Sequence, residues 1–317
     1  MTARRDLPRQ LPTPFAVRDA IDAGIPASRL RAHDLRRPFH GVRVAADSDD
    51  SLALQCRALM TRFRAQDAFC GPTAARLWGM PLPPELGSAP DLHVSSLRPA
   101  AALRRQGVIG STRATCDPVR LAGLPVLAPF ETALSLGRLI GVADLVAVLD
   151  FIITGDLGRG ALSSTEKLSE FLTTCDRHPG LGPLRAAAAL ARVGAWSRPE
   201  TLLRLILMGA GIPEPELNVR LVHPEGRIVI PDLAWPSYRV AAEYNGLHHE
   251  SGDQRVHDLR RADDFCDIGW STVNVERAEL FQNPRSAVKR VARRLAGCGW
   301  TPPRRLRWTI SDSTPRR

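Results

Sequence analysis

The 317-residue sequence contains only two lysines, Lys167 and Lys289, so arginine carries almost all of the positive charge. The formal net charge is nevertheless +10 and the pI is about 10.3. A chain this basic binds polyanions, of which nucleic acid is the commonest in a cell. Arginine suits phosphate because its guanidinium donates paired hydrogen bonds, although an arginine bias also accompanies a GC-rich genome.

Cysteines, aromatic residues and long apolar runs are also sparse or unpatterned. None of the six cysteines forms a Cys-x-x-Cys pair or lies near another cysteine or a histidine at zinc spacing, which argues against a zinc finger and predicts reduced core thiols. Aromatic residues make up only 5% of the chain, too few for a base-stacking platform, so RNA is a less expected partner than DNA. Without an apolar run of about 18 residues or a signal peptide, we predict a cytoplasmic protein that does not enter membranes.

The length and the pattern of the chain predict an α+β or α/β multidomain protein, because single domains usually contain about 100–200 residues. Apolar residues make up 44% of the chain, which is enough for ordinary cores. We predict four segments: a winged-helix-like DNA-binding domain at 1–48, a mixed helical and strand domain at 49–194, a nuclease-like domain at 195–297 and a basic tail at 298–317.

The first segment shows two short helical patterns, followed by a basic turn and a strand at 36–44. This order is typical of a small winged helix, although other small helical modules share it. We expect Arg36, Arg37 and Arg43 to contact DNA there. The pattern of the middle segment indicates no catalytic or metal-binding residues. This pattern predicts strands at 91–94 and 108–112 and helices at 51–78, 129–156, 164–175 and 182–193.

The last third predicts a restriction-endonuclease-like order of elements, α-β-β-α-β-α. The predicted elements are a helix at 197–208, paired strands at 228–230 and 239–244, a helix at 253–268, a strand at 272–275 and a helix from 283. Val288, Val291 and Leu295 give the last helix a core face. Its remaining surface carries four candidate DNA-binding cations, Lys289, Arg290, Arg293 and Arg294.

Two acids on neighbouring predicted strands carry the chemistry of this segment. Asp232 ends one strand, and Glu243 comes eleven residues later near the end of the next. Antiparallel neighbours can place two such side chains together. Mg²⁺ (or Mn²⁺) prefers oxygen ligands and keeps several waters, so one or two carboxylates are enough to hold it. Such an ion would assist phosphodiester hydrolysis.

Two further polar residues, Glu200 and His249, are candidates for the same site, and Glu200 and Asp232 also have a structural alternative. Glu200 opens the preceding helix, but Ser197-Arg198-Pro199-Glu200 is also a capping box, which would make Glu200 structural. His249 could position a water or take a proton near neutral pH. Asp232 could simply form a turn. A lone carboxylate such as Glu243 in an apolar strand would be costly to bury without a partner, which favours a functional role.

The segment that runs from Pro231-Asp232 through Glu243-Tyr244-Asn245-Gly246 and His249 to Arg261 and Gly269-Trp270 resembles very-short-patch-repair-like endonuclease domains of the PD-(D/E)XK superfamily. The amino-terminal half is similar to the winged-helix region of abortive-infection type IV antitoxins (AbiEi-like), and actinobacterial proteins join the two. The resemblance implies that Asp232, Glu243 and the carbonyl of Tyr244 ligate magnesium. It also implies that Glu200 and His249 assist and that Arg261 contacts the scissile phosphate or holds the helix.

One departure from the superfamily pattern leaves two possible functions open. Asn245 occupies the position of the superfamily lysine, and asparagine can offer a carbonyl oxygen to a metal but no positive charge. The first hypothesis is a metal-dependent DNA endonuclease or nickase. The alternative is a catalytically degenerate DNA-binding regulator or antitoxin-like protein. The sequence leaves the oligomeric state and the biological process open.

Overall fold

In the computed structural model, the described residues are 13–113, 118–156, 158–175, 177–246 and 263–303. They form a mixed α/β structure with several sheets, which confirms the predicted multidomain α+β character. The chain divides into two compact units, unit 1 (residues 1–135) and unit 2 (residues 136–317). The domain boundaries predicted from the sequence stay predictions. Among the described residues, no helix has the length and apolar character needed to cross a membrane.

Unit 1 begins with a small three-stranded antiparallel sheet. Its elements are β1 (Phe15–Ala16), α1 (Val17–Asp22), a 3-10 turn at Arg29–Arg31, β2 (Leu35–Arg36) and β3 (Val42–Ala45). The strand order is β1-β3-β2, so β3 is the central strand. The side chains of Phe15, Ala20, Ile25, Leu30 and Leu35 form its core.

A five-stranded sheet forms the rest of unit 1, in the order β6-β5-β4-β8-β7. Its elements are α2 (Leu52–Met60), β4 (Asp67–Phe69), α3 (Gly71–Trp78), α4 (Pro84–Gly87), β5 (Leu92–Leu97), β6 (Val108–Arg113), β7 (Val119–Leu121), β8 (Leu124–Val126) and α5 (Pro129–Leu136). β5 and β6 confirm the predicted strands. The single helix predicted at 51–78 is wrong, because Ala68 and Phe69 are fully buried in the central strand β4 and divide it.

Unit 2 begins with helices and a short hairpin. They are α6 (Val142–Thr154), β9 (Gly155–Asp156), β10 (Arg159–Gly160), α7 (Thr165–Thr174), α8 (Leu181–Leu190) and α9 (Arg198–Gly209). The helix predicted at 129–156 is two helices, α5 and α6. The fully buried Arg204 of α9 donates to the carboxylate of Asp150 of α6 over 2.9 Å, and this pair joins the two helices.

A four-stranded sheet follows, in the order β11-β14-β15-β16. The remaining elements are β11 (Glu216–Leu217), β12 (Leu221–Val222), β13 (Ile228–Val229), β14 (Leu233–Trp235), β15 (Val240–Asn245), β16 (Ser271–Glu276), α10 (Arg277–Gln282) and α11 (Pro284–Gly297), with a 3-10 turn at Pro236–Tyr238 and a helical segment at 263–267. β15 runs antiparallel to β14 and parallel to β16. The main core lies between this sheet and the buried faces of α9 and α11.

The predicted pairing of 228–230 with 239–244 is wrong. β13 pairs instead with β12 in a separate hairpin that turns at Gly226, whose φ of +81° favours glycine. The antiparallel neighbour of β15 is β14, which begins directly after Asp232. Asp232 therefore precedes a strand rather than ending one.

Candidate active site

Asp232 immediately precedes β14, and Glu243 lies in β15, the antiparallel neighbour of β14. Leu233 lies opposite Ala242, so the same register continued by one residue would place Asp232 opposite Glu243. Directly opposed residues of an antiparallel pair project from the same face and have Cβ atoms about 4.5–5.5 Å apart. A continued register would therefore bring the two carboxylates close together.

Backbone hydrogen bonds fix Asp232 at this position. Its carboxylate oxygen Oδ2 accepts a hydrogen bond from the Tyr244 amide over 2.7 Å. Its own carbonyl oxygen accepts from the amide of Asn218 over 3.2 Å. Glu243 is only 9% exposed, whereas Asp232 is half-buried. The pair thus consists of an acid anchored to the backbone and an acid that is nearly enclosed.

The sheet face that carries Glu243 differs from the face that packs on α9. Alternation along β15 places Ala241, Glu243 and Asn245 on one side and Val240, Ala242 and Tyr244 on the other. Ala241 packs against Val229 of β13 and Phe265 of the helical segment. These two elements therefore cover the sheet beside Glu243.

Polar contacts hold the covering elements together. Arg227 donates to the carboxylate of Asp264 over 2.6 Å, and the ring of His223 lies 3.3 Å from Asp267. Both contacts join the β12–β13 hairpin to the helical segment at 263–267. His223 is buried, so this histidine supports the wall of the site rather than facing solvent.

Glu200 begins α9, whose buried residues Leu203 and Leu207 belong to the core on the other face of the sheet. Its carboxylate accepts from the Trp196 amide over 2.9 Å and from the side-chain amide of Asn218 over 3.1 Å. Burial raises the pKa of Glu200, and the hydrogen bonds from Trp196 and Asn218 oppose that shift. The structure gives Glu200 a capping and bridging position, and its role at a metal stays a prediction.

Tyr244 and Asn245 follow Glu243 on β15. The Tyr244 ring packs against the main core and lies edge-on to Phe281, with ring centroids 6.5 Å apart. The side-chain amide of Asn245 donates to the carboxylate of Glu276 over 3.3 Å. The side chain that follows Tyr244 is thus neutral and is hydrogen-bonded to the adjacent strand β16.

Asn274 is a polar neighbour of the pair that the sequence analysis missed. In the parallel register of β15 and β16, Asn274 lies beside Glu243. Its side-chain oxygen Oδ1 is buried and accepts no hydrogen bond from the described residues. A buried acceptor without a donor is costly, and a cation or a water would offset that cost. The signal in the sequence was weak, because a polar residue between Val273 and Val275 also fits an ordinary solvent-facing position.

The available donors fit a hard divalent cation. Carboxylate oxygens from Asp232 and Glu243 and the amide oxygen of Asn274 are the ligand types that Mg²⁺ prefers. Within the described part of the chain, no group of three or more His, Cys, Asp and Glu side chains forms a ready metal cage. A site with two carboxylates would therefore depend on waters and neutral oxygens to complete the coordination. The predicted residues His249 and Arg261 lie outside the described residues.

The three arginines predicted to bind DNA in unit 1 differ in their surroundings. Arg43 is buried, and its guanidinium donates to the carbonyl oxygens of Leu30 and Val42 over 2.7 and 2.9 Å. Arg36 donates to the Ser48 carbonyl over 2.8 Å and also contacts the Asp50 carboxylate. Arg37 is exposed and makes no hydrogen bond or ion pair with the described residues. Arg37 is thus the most available of the three.

The cations predicted on α11 are exposed, but one of them has a partner. Arg290 donates to the Glu279 carboxylate over 2.6 Å. Lys289, Arg293 and Arg294 make no ion pair with the described residues. Arg293 and Arg294 line, together with the first residues of β16, a groove of about 470 Å³. These exposed cations leave a basic surface at the edge of the sheet.

Comparison with known proteins identifies relatives without assigning a function. The chain is 25% identical over 270 residues to two uncharacterized proteins of Mycobacterium tuberculosis, one from strain CDC 1551 / Oshkosh and one from strain ATCC 25618 / H37Rv. The alignment covers 82% of this chain and 92% of each relative. No family model and no solved structure matches the chain.

Proposed function

We propose that this protein is a metal-dependent DNA endonuclease or nickase. In this proposal unit 1 begins with a winged helix that binds DNA, and residues 195–297 form a restriction-endonuclease-like domain that hydrolyses phosphodiester bonds. The observation that carries it is the register of β14 and β15 which, continued by one residue, would bring Asp232 opposite Glu243, together with the hydrogen bond from the Tyr244 amide to Asp232. Carboxylate pairs on adjoining strands suit a divalent cation that binds phosphate.

Asp232 and Glu243 would hold Mg²⁺ or Mn²⁺, with Asn274 as a neutral oxygen donor beside them. When bound, the ion would lower the pKa of a water and offset charge on the leaving oxygen. The Tyr244 amide orients Asp232 by donating to Oδ2, so the carboxylate is directed before any ligand arrives. The near-complete burial of Glu243 limits access of bulk water to its carboxylate.

The neutral position at Asn245 supports a second candidate function. A lysine there would supply positive charge next to a phosphate, but the Asn245 amide instead donates to Glu276. A domain that keeps a metal site or a DNA-binding surface without turnover would act as a DNA-binding regulator or an antitoxin-like protein. The two functions differ in one measurable property, which is cleavage of DNA.

The decisive experiment is cleavage of supercoiled, mismatched and single-stranded DNA by the purified full chain with Mg²⁺ or Mn²⁺. We expect Asp232→Asn and Glu243→Gln to lower the cleavage rate by on the order of 10²-fold or more, because removing even indirect partners of a metal ligand costs about 10–100-fold. Glu216→Gln is the matched control. Glu216 is an exposed carboxylate on β11 of the same sheet, and this variant should cleave like the parent protein.

Calorimetric titration of Mn²⁺ separates loss of the metal from loss of the fold. Asp232→Asn keeps a side-chain oxygen that can accept from the Tyr244 amide, so it should remain folded while its affinity for Mn²⁺ falls. Equal cleavage by the parent and both site variants would show that the site is wrong. DNA binding with no cleavage of any substrate would reject the enzyme and favour the regulator.

A further inference from the structure

A basic cleft of about 1120 Å³ lies within unit 1, away from the two carboxylates in the sequence. Most of its lining comes from two segments, residues 36–43 around the turn before β3 and residues 104–107 before β6. Their positively charged or ionisable members are Arg36, Arg37, His40, Arg43, Arg104 and Arg105. The second segment was not identified as a binding element from the sequence, because Arg104 and Arg105 stand outside any recognisable motif.

The cleft has few negative charges to balance these cations. Among the described residues that line it, Asp50 is the acid, and its carboxylate already contacts Arg36 over 3.3 Å. The guanidinium groups of Arg37, Arg104 and Arg105 make no hydrogen bond or ion pair with the described residues. The cleft is therefore a concentration of positive charge that the single Arg36–Asp50 pair compensates only in part.

Several arginines of unit 1 outside the cleft have carboxylate partners. Arg29 pairs with Asp34 over 2.8 Å, and Arg64 pairs with Asp67 over 2.9 Å. Arg113 lies 3.8 Å from the carboxylate of Glu131. In the cleft, the guanidinium groups of Arg37, Arg104 and Arg105 have no such partner among the described residues.

The buried guanidinium of Arg43 adds to the field in the cleft. Its hydrogen bonds go to neutral carbonyl groups, so they orient the group without cancelling its charge. Burial and the nearby charge of Arg37 lower the pKa of Arg43. Nε of Arg36 and Nε of Arg105 are also buried donors without acceptors among the described residues. An anion bound in the cleft would accept hydrogen bonds from these donors and balance the buried positive charge, which offsets the free-energy cost of burying them.

We propose that this cleft binds the phosphodiester backbone of a nucleic-acid strand, with Arg37, Arg104 and Arg105 contacting phosphates. A concave site with arginines from two segments fits a strand better than a flat anionic membrane surface, and its volume exceeds that needed by a single phosphate. The proposal shares its type of partner with the proposed function, but it does not require Asp232 and Glu243 to support cleavage.

The test is binding of fluorescent duplex DNA, single-stranded DNA and RNA to the full chain in EDTA, measured by anisotropy at fixed low salt. Without divalent metal the assay does not depend on hydrolysis. The double variant Arg104→Ala/Arg105→Ala should weaken binding by about tenfold or more, because phosphate contacts dominate such affinities. Arg104→Lys/Arg105→Lys, which keeps the charge, should retain most of the affinity.

The matched control is Arg31→Ala/Arg57→Ala. It removes the same charge from two exposed arginines of unit 1 that do not line the cleft. An equal loss of affinity in this control would show that the effect comes from net charge alone, and it would overturn the proposed site. Unchanged binding by a folded Arg104→Ala/Arg105→Ala protein would also overturn it. A third result would overturn it as well. If Arg104→Ala/Arg105→Ala no longer bound phosphatidylglycerol vesicles that the parent protein binds, but still bound nucleic acid like the parent, the cleft would bind a membrane surface. Cleavage assays report on the carboxylate site separately, so either proposal can fail alone.

Discussion

At the scale of single residues, Asp67 shows how unit 1 keeps a buried carboxylate ionised. Its side chain is inaccessible to solvent. Its oxygens accept from the Arg64 amide over 2.9 Å, from the Arg64 guanidinium over 2.9 Å and from the Ser96 hydroxyl over 2.6 Å. Burial by itself would raise the pKa of Asp67, but the hydrogen bonds from Arg64 and Ser96 outweigh it and lower the pKa.

The lowered pKa gives Asp67 a defined effect on stability. A carboxyl with a depressed folded pKa contributes stability that is fully present above its unfolded pKa, here 3.8, and is lost as the pH falls through the folded value. The side chain of Arg64 is 41% exposed, so the relevant scale is that of hydrogen bonds to a charged group, which contribute about 1.5–3 kcal/mol. We therefore expect Asp67→Asn to lower the free energy of unfolding by about that amount at neutral pH, and by less below pH 3.8.

Thermal or urea unfolding of both proteins across this pH range measures the difference. Asp47→Asn is the control, because Asp47 is exposed and has no partner among the described residues. This control should differ little from the parent at every pH. A difference between parent and Asp67→Asn that stayed constant from neutral to acid pH would contradict the ionised pair.

The residue scale also shows how much of the candidate site the sequence could predict. The spacing of Asp232 and Glu243 predicted that each acid ends one of two paired strands, but Asp232 precedes β14 instead, and its carboxylate accepts from the amide of Tyr244, the residue after Glu243. The amide oxygen of Asn274 could not be anticipated, because its position beside Glu243 depends on the parallel register of β15 and β16. A contact between residues this far apart in the chain has no local sequence signal.

At the scale of elements, the periodicity of apolar residues predicted the longer helices and strands but failed for the short strands. Residues 92–97, 108–113 and 271–276 form strands near their predicted positions, and 284–297 forms the expected amphipathic helix. The strand at 67–69 was missed because three residues show too little periodicity, and a buried partner on each side fixes their conformation. Short strands of this kind follow from tertiary pairing rather than from propensity.

Helix α9 offers a test of whether Glu200 serves the helix or a metal. Its carboxylate binds the Trp196 amide and the Asn218 side chain at the start of the helix. Both hydrogen bonds go to Oε2, so the glutamine oxygen of Glu200→Gln can accept them but without the negative charge, and we expect a loss of about 1 kcal/mol in the free energy of unfolding. The affinity for Mn²⁺ should stay within about threefold of the parent, since these contacts hold the carboxylate at the start of the helix.

Calorimetry with Mn²⁺ and thermal unfolding distinguish the two roles. Glu166→Gln is the control, because Glu166 lies in the first turn of α7 but is exposed. It should change neither measurement appreciably. If Glu200→Gln lost as much Mn²⁺ affinity as Glu243→Gln, Glu200 would be a metal ligand, as the superfamily resemblance implies.

At the scale of the whole molecule, the net charge is +10, and each unit has exposed or partly exposed cations without ion pairs among the described residues. In unit 1 these include Arg37, Arg104 and Arg105 of the cleft. In unit 2 they include Lys289, Arg293 and Arg294 of α11. Each unit therefore carries its own basic surface.

The salt dependence of DNA binding counts the contacts that these surfaces make. The logarithm of the binding constant falls linearly with the logarithm of salt concentration, with a slope of about −0.9 for each duplex phosphate neutralised. Six contacts predict a slope of about −5 for the full chain in EDTA. Arg104→Ala/Arg105→Ala and Arg293→Ala/Arg294→Ala should each reduce its magnitude by about 2, and the combined variant by about 4. Arg31→Ala/Arg57→Ala should leave it unchanged. A reduction from only one of the two pairs would show that one unit alone binds DNA, because a charged side chain that touches no phosphate releases no counterion.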